Sequence, residues 1–260
     1  MLQAIDRLWR TFATGLCFAS FGLGGLLLRL IVFPAMTLIV HEHRLRMTLA
    51  RALIRQSFRL FVWMMRSVGV ISVEVRGAER LARKGLLVLA NHPSLIDVVL
   101  LIALLRDHDC VVKEALRRNP FTRGPVEAAG FITNDGGPAL VDAAIASVRS
   151  GSNLIIFPEG TRTAIDGEGP RWQRGAANIA VRGGLPVTPV LIRSTPPVLR
   201  KGEPWWRVPQ RRAHFVLDVR EDIDARPAID SASSEAQAAR LFNEQLRNYF
   251  TKELTVHANA

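Results

Sequence analysis

The chain has little cysteine: Cys17 and Cys110 are the only two in 260 residues. That excludes a disulfide framework and a cysteine-based zinc site. No serine or cysteine sits in a Gly-x-Ser-x-Gly turn, which removes the nucleophile elbow and the acyl-enzyme route it serves. Internal repeats and low-complexity tracts are also missing. Acidic residues are scarce, 23 against 34 Lys plus Arg, for a formal net charge of +11. Such an excess calls for an anionic partner: nucleic acid, an anionic membrane surface, or a phosphorylated or acidic ligand.

Charge is absent altogether from Thr11 to Leu28, "TFATGLCFASFGLGGLLL", and after Arg29 from "LIVFPAMTLIV" to Val40. Nucleic-acid binding has no use for such an N-terminus, so membrane lipids are the expected partner and nucleic acid is not. A helix across the first stretch reaches about 27 Å, marginal for a hydrocarbon core of about 30 Å. Arg7 and Arg10 ahead of it could mark a signal peptide, but the apolar character outruns any h-region and no clear cleavage site follows. Arg7 and Arg10 before the stretch, and Arg44 and Arg46 after it, favour leaving both ends on the cytoplasmic face. A helical hairpin broken near Arg29 and Pro34 satisfies that; a single tilted span does so poorly. The expected location is the inner (cytoplasmic) membrane, with the active site on its cytoplasmic face.

The next stretch, "HEHRLRMTLARALIRQSFRLFVWMMRSVG", places Arg44, Arg51, Arg55, Arg59 and Arg66 within about 80° of a helical wheel. Met47, Ile54, Phe58, Phe61 and Met65 fill the neighbouring arc. A basic amphipathic helix of this kind suits an anionic lipid interface or packs on a domain. His41 and His43 are two apart, the wrong spacing for metal ligands on one helix face, and no metal is expected.

After Gly69 the pattern turns to short β-rich runs: "VISVEVRG", "GLLVLAN", "DCVVK", "GFIT", "NLIIFP", "LPVTPVLI" and "HFVLDV". Helical segments lie between them at 95–105, 141–149 and 175–181, and a last one at 234–254. The expected fold is α/β: a layered domain with a largely parallel mixed sheet flanked by helices, plus an N-terminal membrane-associated helical hairpin. The domains divide at 1–68, anchoring and basic amphipathic helices, and 69–260, the α/β domain.

Chemistry in such sheets gathers beyond the carboxyl ends of strands. "GLLVLAN" ends at His92, in a strand-to-helix turn, and Asp97 follows five residues later, within reach of the imidazole. A carboxylate there fixes the histidine's tautomer and stabilises its protonated form. Ser94 to Asp97 also reads as a capping box, which by itself explains the acid. A second strand ends in Pro158, Glu159, Gly160, Thr161 and Arg162, where glycine allows close backbone approach and arginine offers a fork for phosphate.

Together "NHPSLID" and "FPEGTRT" resemble the two signatures of the glycerolipid acyltransferase family, whose best-known members are the 1-acyl-sn-glycerol-3-phosphate acyltransferases. "VVKEAL" and "RWQRGAANIAVRGGLPVTPVLI" are similar to further blocks, and the likeness spans roughly 86–192. It implies phospholipid-biosynthetic transfer of a fatty acyl group from a thioester, acyl-CoA or acyl carrier protein, to a lysolipid hydroxyl such as that of lysophosphatidate. His92 would be the general base and Asp97 its orienter. Glu159, Gly160, Thr161 and Arg162 would shape the acceptor site. Thioester alcoholysis itself needs a deprotonated hydroxyl and no metal or redox cofactor, the acyl thioester being a co-substrate.

One block departs from the pattern. Where lysophosphatidate-using relatives carry F-I-x-R, Phe131, Ile132 and Thr133 are followed here by Asn134 and Asp135. Lys113, Arg117, Arg118 or Arg123 could take over the phosphate, or the acceptor could lack a phosphomonoester, as lyso-ornithine lipids do. A non-enzymatic lipid-binding scaffold is the remaining alternative. Finally, "LRKGEPWWRVPQRR" sets Trp205 and Trp206 among five basic residues, suited to a membrane interface or to docking an acyl carrier protein.

Overall fold

Each of the seven runs of β-formers becomes a strand. The computed structural model describes residues 2–134, 138–162 and 172–256. The strands are β1 (Ile71–Arg76), β2 (Leu87–Ala90), β3 (His108–Lys113), β4 (Ile132–Asn134), β5 (Asn153–Ile156), β6 (Val187–Thr195) and β7 (Ala213–Val219). They form one sheet in the order β1-β7-β6-β2-β5-β3-β4. From β6 to β4 every neighbour is parallel. β7 runs antiparallel to β6 and parallel to β1, so the sheet is mixed and largely parallel, as expected.

Both faces of the sheet are covered. β2 and β5 are buried at every position, which is why they read as unbroken apolar runs. Val88 and Ala90 of β2 join one core, with Ile155 and Ile192. Leu87 and Leu89 join the other, with Leu154, Ile156 and Leu191. The first core is closed by α3 (His43–Ser67) and α4 (Asp97–Leu104). The second is closed by α7 (Pro138–Arg149), α8 (Gly175–Gly183) and α10 (Glu235–Val256). Phe242, Leu246 and Phe250 recur every four residues on α10 and are fully buried, each contributing about 1.5–3 kcal/mol.

The N-terminal segment differs from expectation in one respect. α1 (Leu2–Leu27) passes through a π-helical turn, Leu28–Val32, into α2 (Phe33–Ile39) without breaking. Pro34 lacks the N–H that would bond back into the preceding turn, and the helix widens there: Phe33 N–H reaches Leu28 O instead. The chain reverses only at 40–42, where the Glu42 carboxylate accepts from the N–H groups of Arg44 and Leu45 and caps α3. Phe21 of α1 then packs on Phe58 and Phe61 of α3. The expected break near Arg29 and Pro34 is absent: the chain reverses six to eight residues beyond Pro34, and the hairpin it makes sets the continuous α1–α2 helix against α3.

The arginine arc of α3 needs a second correction. Arg51 is buried and points into the domain. Its Nε donates to Ala129 O, its Nη1 to Ser152 Oγ, and its Nη2 lies 3.0 Å from Asp109 Oδ2, itself buried. Arg44, Arg59 and Arg66 of the arc stay exposed, and Leu45, Leu49, Leu60 and Trp63 are exposed on the same helix. Next to the pair, His108 is fully buried, and neither ring nitrogen has a hydrogen-bond partner among the described residues. Burial first, then the charges of Arg51 and Arg55, push its pKa down to about 3.

Two outcomes follow for stability. Arg51→Ala strands the buried Asp109 carboxylate and should cost roughly 3–5 kcal/mol in chemical denaturation, more than the double replacement Arg51→Met with Asp109→Leu. His108 takes a proton in the unfolded chain but not in the fold, so stability falls as pH drops from about 6.5 toward 3. Relative to His108→Leu, the protein should lose about 2 kcal/mol more between pH 7.5 and pH 5.

Candidate active site

All the parallel strands point their carboxyl ends at one edge, and the residues singled out by sequence collect there. The turn after β2 carries His92, that after β5 carries Glu159 to Arg162, and Lys113 and Asn134 end the neighbouring strands β3 and β4. Lys113 and Asn134 are exposed register partners.

His92 Nδ1 lies 2.9 Å from Asp97 Oδ2. The same oxygen accepts the backbone N–H of Ser94 at 2.7 Å. It is therefore an acceptor, which assigns the ring proton to Nδ1. Asp97 is fully buried, while the His92 side chain keeps 15% of its surface exposed. Burial pushes the Asp97 carboxyl above the usual range, while His92, the Ser94 N–H and the Arg162 charge pull it back. The Phe157 ring, 4.4 Å from the imidazole between centroids, lies along one side.

Backbone groups left over at the strand ends are met by side chains. β2 ends at Ala90, so the His92 N–H lacks a ladder partner; Glu159 Oε1, buried, accepts it at 3.1 Å. Asn91 donates through Nδ2 to Ile192 O and accepts Ile192 N–H, extending the β2–β6 pairing by one residue. Sequence reasoning missed Asn91; a buried amide at a strand's carboxyl end was its only signal. Glu159, expected against substrate, faces the backbone of His92. Gly160 adopts φ +61° to close the turn onto Phe157 O, a conformation that favours glycine; Thr161 is half-buried.

Arg162 is drawn to a different loop. Its Nη1 donates to the carbonyls of Leu199 and Arg200 at 3.0 and 3.2 Å, and Leu199 O also accepts the N–H of Leu95. Among the other candidate cations, Arg118 pairs with Glu114 and Arg123 with Glu127, while Lys113 and Arg117 have no ion pair among the described residues. Asp135 lies outside the described residues.

With this geometry in view, comparison with known proteins is direct. An acyltransferase family model matches residues 72–193, a segment that holds both motifs. Over this segment, a little under half of the chain, the protein is similar to the acyltransferase family. The glycerolipid acyltransferase resemblance of "NHPSLID" and "FPEGTRT" is thereby borne out. A 1-acyl-sn-glycerol-3-phosphate acyltransferase of Pseudomonas aeruginosa is 30% identical over 54% of this chain and 56% of its own. A lyso-ornithine lipid O-acyltransferase of the same organism is 35% identical over 50% and 51%. The chain thus spans about half the length of these curated relatives. The crystal structure of the 1-acyl-sn-glycerophosphate acyltransferase PlsC from Thermotoga maritima superposes with a TM-score of 0.66, over 97% of this chain and 98% of that one. At 23% identity this likeness speaks for the acyltransferase's fold.

The bracing at Asn91 gives a clear expectation. Asn91→Ala leaves a buried N–H and a buried carbonyl of Ile192 unpaired and should lower the unfolding free energy by about 2–3 kcal/mol in denaturant titration.

Proposed function

We propose that the protein is a membrane-bound O-acyltransferase that moves a fatty acyl group from an acyl thioester to the hydroxyl of a lysophospholipid. The observation that carries this reading is the His92–Asp97 pair, 2.9 Å apart at the carboxyl edge of the sheet, with the His92 backbone held by Glu159. His92 Nε2 takes the proton of the acceptor hydroxyl as its oxygen attacks the thioester carbonyl. The tetrahedral intermediate then collapses, the C–S bond breaks, and the imidazolium returns its proton to the leaving thiolate. Asp97 stays ionised and stabilises the imidazolium between the two steps. Acyl-CoA and acyl carrier protein both supply the required thioester.

Among the described residues Arg162 donates to carbonyls through Nη1 alone, and in this reading the rest of its guanidinium is offered to an acceptor phosphate. Lys113 and Asn134 flank the same edge. A second reading has an acceptor without a phosphomonoester, and two observations favour it. Asn134 stands where the motif's arginine is expected, and a lyso-ornithine lipid acyltransferase is among the relatives.

Membrane attachment rests on the N-terminal helix. Residues Ile5–Ile39 have a mean hydropathy of 2.1 over their most apolar window and are long enough to cross a bilayer. Upright, 35 residues would extend about 50 Å, well beyond a hydrocarbon core of about 30 Å. The helix is also tied to the domain along its length: Trp9 Nε1 donates to Val68 O and Arg29 to Pro120 O. In this reading it lies in the interface plane, on the cytoplasmic face of the inner membrane, the side that Arg7, Arg10, Arg44 and Arg46 favour.

The test is acyl transfer by detergent-purified protein, wild type beside His92→Ala, with lysophosphatidate and lyso-ornithine lipid as acceptors and both thioester donors. We expect product from wild type and a loss of about 10²–10⁴-fold in the variant. The acceptor that turns over decides between the two readings. Equal rates in both proteins would overturn the base assignment. Folded wild type that transfers to neither acceptor would leave the lipid-binding scaffold.

A further inference from the structure

The segment joining β6 to β7 is a strap fastened at both ends. At its start the Leu199 carbonyl receives Leu95 N–H, from the turn between His92 and Asp97, and Arg162 Nη1. Leu199 holds φ +54°, a left-handed backbone rare outside glycine, so this corner is shaped for those contacts. Near its end, buried Arg10 of α1 donates to the carbonyls of Pro209 and Gln210. In the middle, Trp205 rests on α1 at Gly15, where an added Cβ would meet the indole at 3.3 Å, and lies 5.7 Å from Phe18.

What the strap shows to the outside is different in kind. Trp206 stands edge-on to Trp205 and is 61% exposed. Lys201, Arg207 and Arg211 are exposed, and none forms an ion pair with a described residue. Alongside, α1 presents Trp9, Phe12 and Leu16, each roughly half or more exposed. An indole and three free cations thus continue an apolar helix face.

We propose that residues 199–212 are an anionic-lipid-docking strap: Trp206 enters the headgroup layer beside α1, and Lys201, Arg207 and Arg211 pair with lipid phosphates. This rests on the reading of α1 as lipid-facing and adds a second element that selects for anionic membranes. An acidic protein would satisfy the three cations but leave Trp206 and the adjoining apolar face uncovered, whereas a bilayer satisfies both. Because Leu199 also anchors the catalytic turn, the strap sets the active-site edge against the surface from which a lipid acceptor arrives.

Sedimentation of the 260-residue chain with phosphatidylcholine vesicles, with and without phosphatidylglycerol, tests this. Wild type should prefer the anionic vesicles. Lys201→Gln with Arg207→Gln and Arg211→Gln should lose about a hundredfold in partition to them, roughly fivefold per charge. Binding to neutral vesicles should be unchanged, while Trp206→Ser should weaken both. Arg207→Gln alone, at an exposed site, gives the same reading at about fivefold should the triple variant fold poorly. Equal anionic-vesicle binding by wild type and variants would overturn the strap and leave the α1 reading standing. Wild type that binds neither vesicle would overturn both. Loss of acyl carrier protein binding with vesicle partition untouched would reassign the face to a protein partner and overturn the proposal.

Discussion

The architecture depends on sealing β2 and β5 between two apolar layers. Every position of both strands is buried, so polar chemistry can emerge only where these strands stop. The fold closes each end with an asparagine. At the amino edge, fully buried Asn153 accepts Leu86 N–H and donates to the carbonyls of Arg83 and Arg106. At the carboxyl edge, Asn91 does the same for Ile192. An amide has both donors and an acceptor, which is what a truncated ladder lacks. With Asn91 holding β6 and Glu159 holding the next N–H, the position of His92 is fixed by the sheet rather than by its loop.

Asp97 settles an ambiguity that sequence alone leaves open. The spacing from Ser94 suits a helix cap, and the spacing from His92 suits a dyad. One oxygen serves both, since Oδ2 accepts the Ser94 N–H and the His92 Nδ1–H. The capping box is only half formed, because Ser94 Oγ is buried without a hydrogen-bond partner among the described residues. The cap orients the carboxylate and the carboxylate orients the imidazole, so helix geometry reaches the His92 ring through two hydrogen bonds.

The strands were legible because burial on both faces demands unbroken β-branched and aliphatic runs, and turns punctuate them. His92 and Asp97 were legible because five residues across one turn is a local relation. The contact of Glu159 with the His92 N–H was not legible because it depends on β5 lying beside β2, which chain order does not reveal. Arg51 failed for a related reason: a helical wheel shows which residues share an arc, not that Asp109 waits opposite one of them. Pro34 was read as a break, although a helix can absorb a missing N–H by widening one turn.

The N-terminal helix inverts the arrangement of a soluble amphipathic helix. Its large side chains point away from the protein: Leu8, Phe12, Leu16, Leu23, Leu27 and Leu30 are all about half or more exposed. Its small ones point inward. Ala13 and Cys17 are buried, Gly15 admits Trp205, and Gly25 lies so close to the Phe121 carbonyl that a Cβ would fall 2.5 Å from it. In water this wastes the hydrophobic effect, since the residues with most apolar area remain wet. In a bilayer, lipid tails solvate the outward leucines, and helices gain by close packing through small residues. The distribution of volume around α1, independent of its overall hydropathy, is thus the physical ground for placing this helix, and the strap seated on it, against lipid.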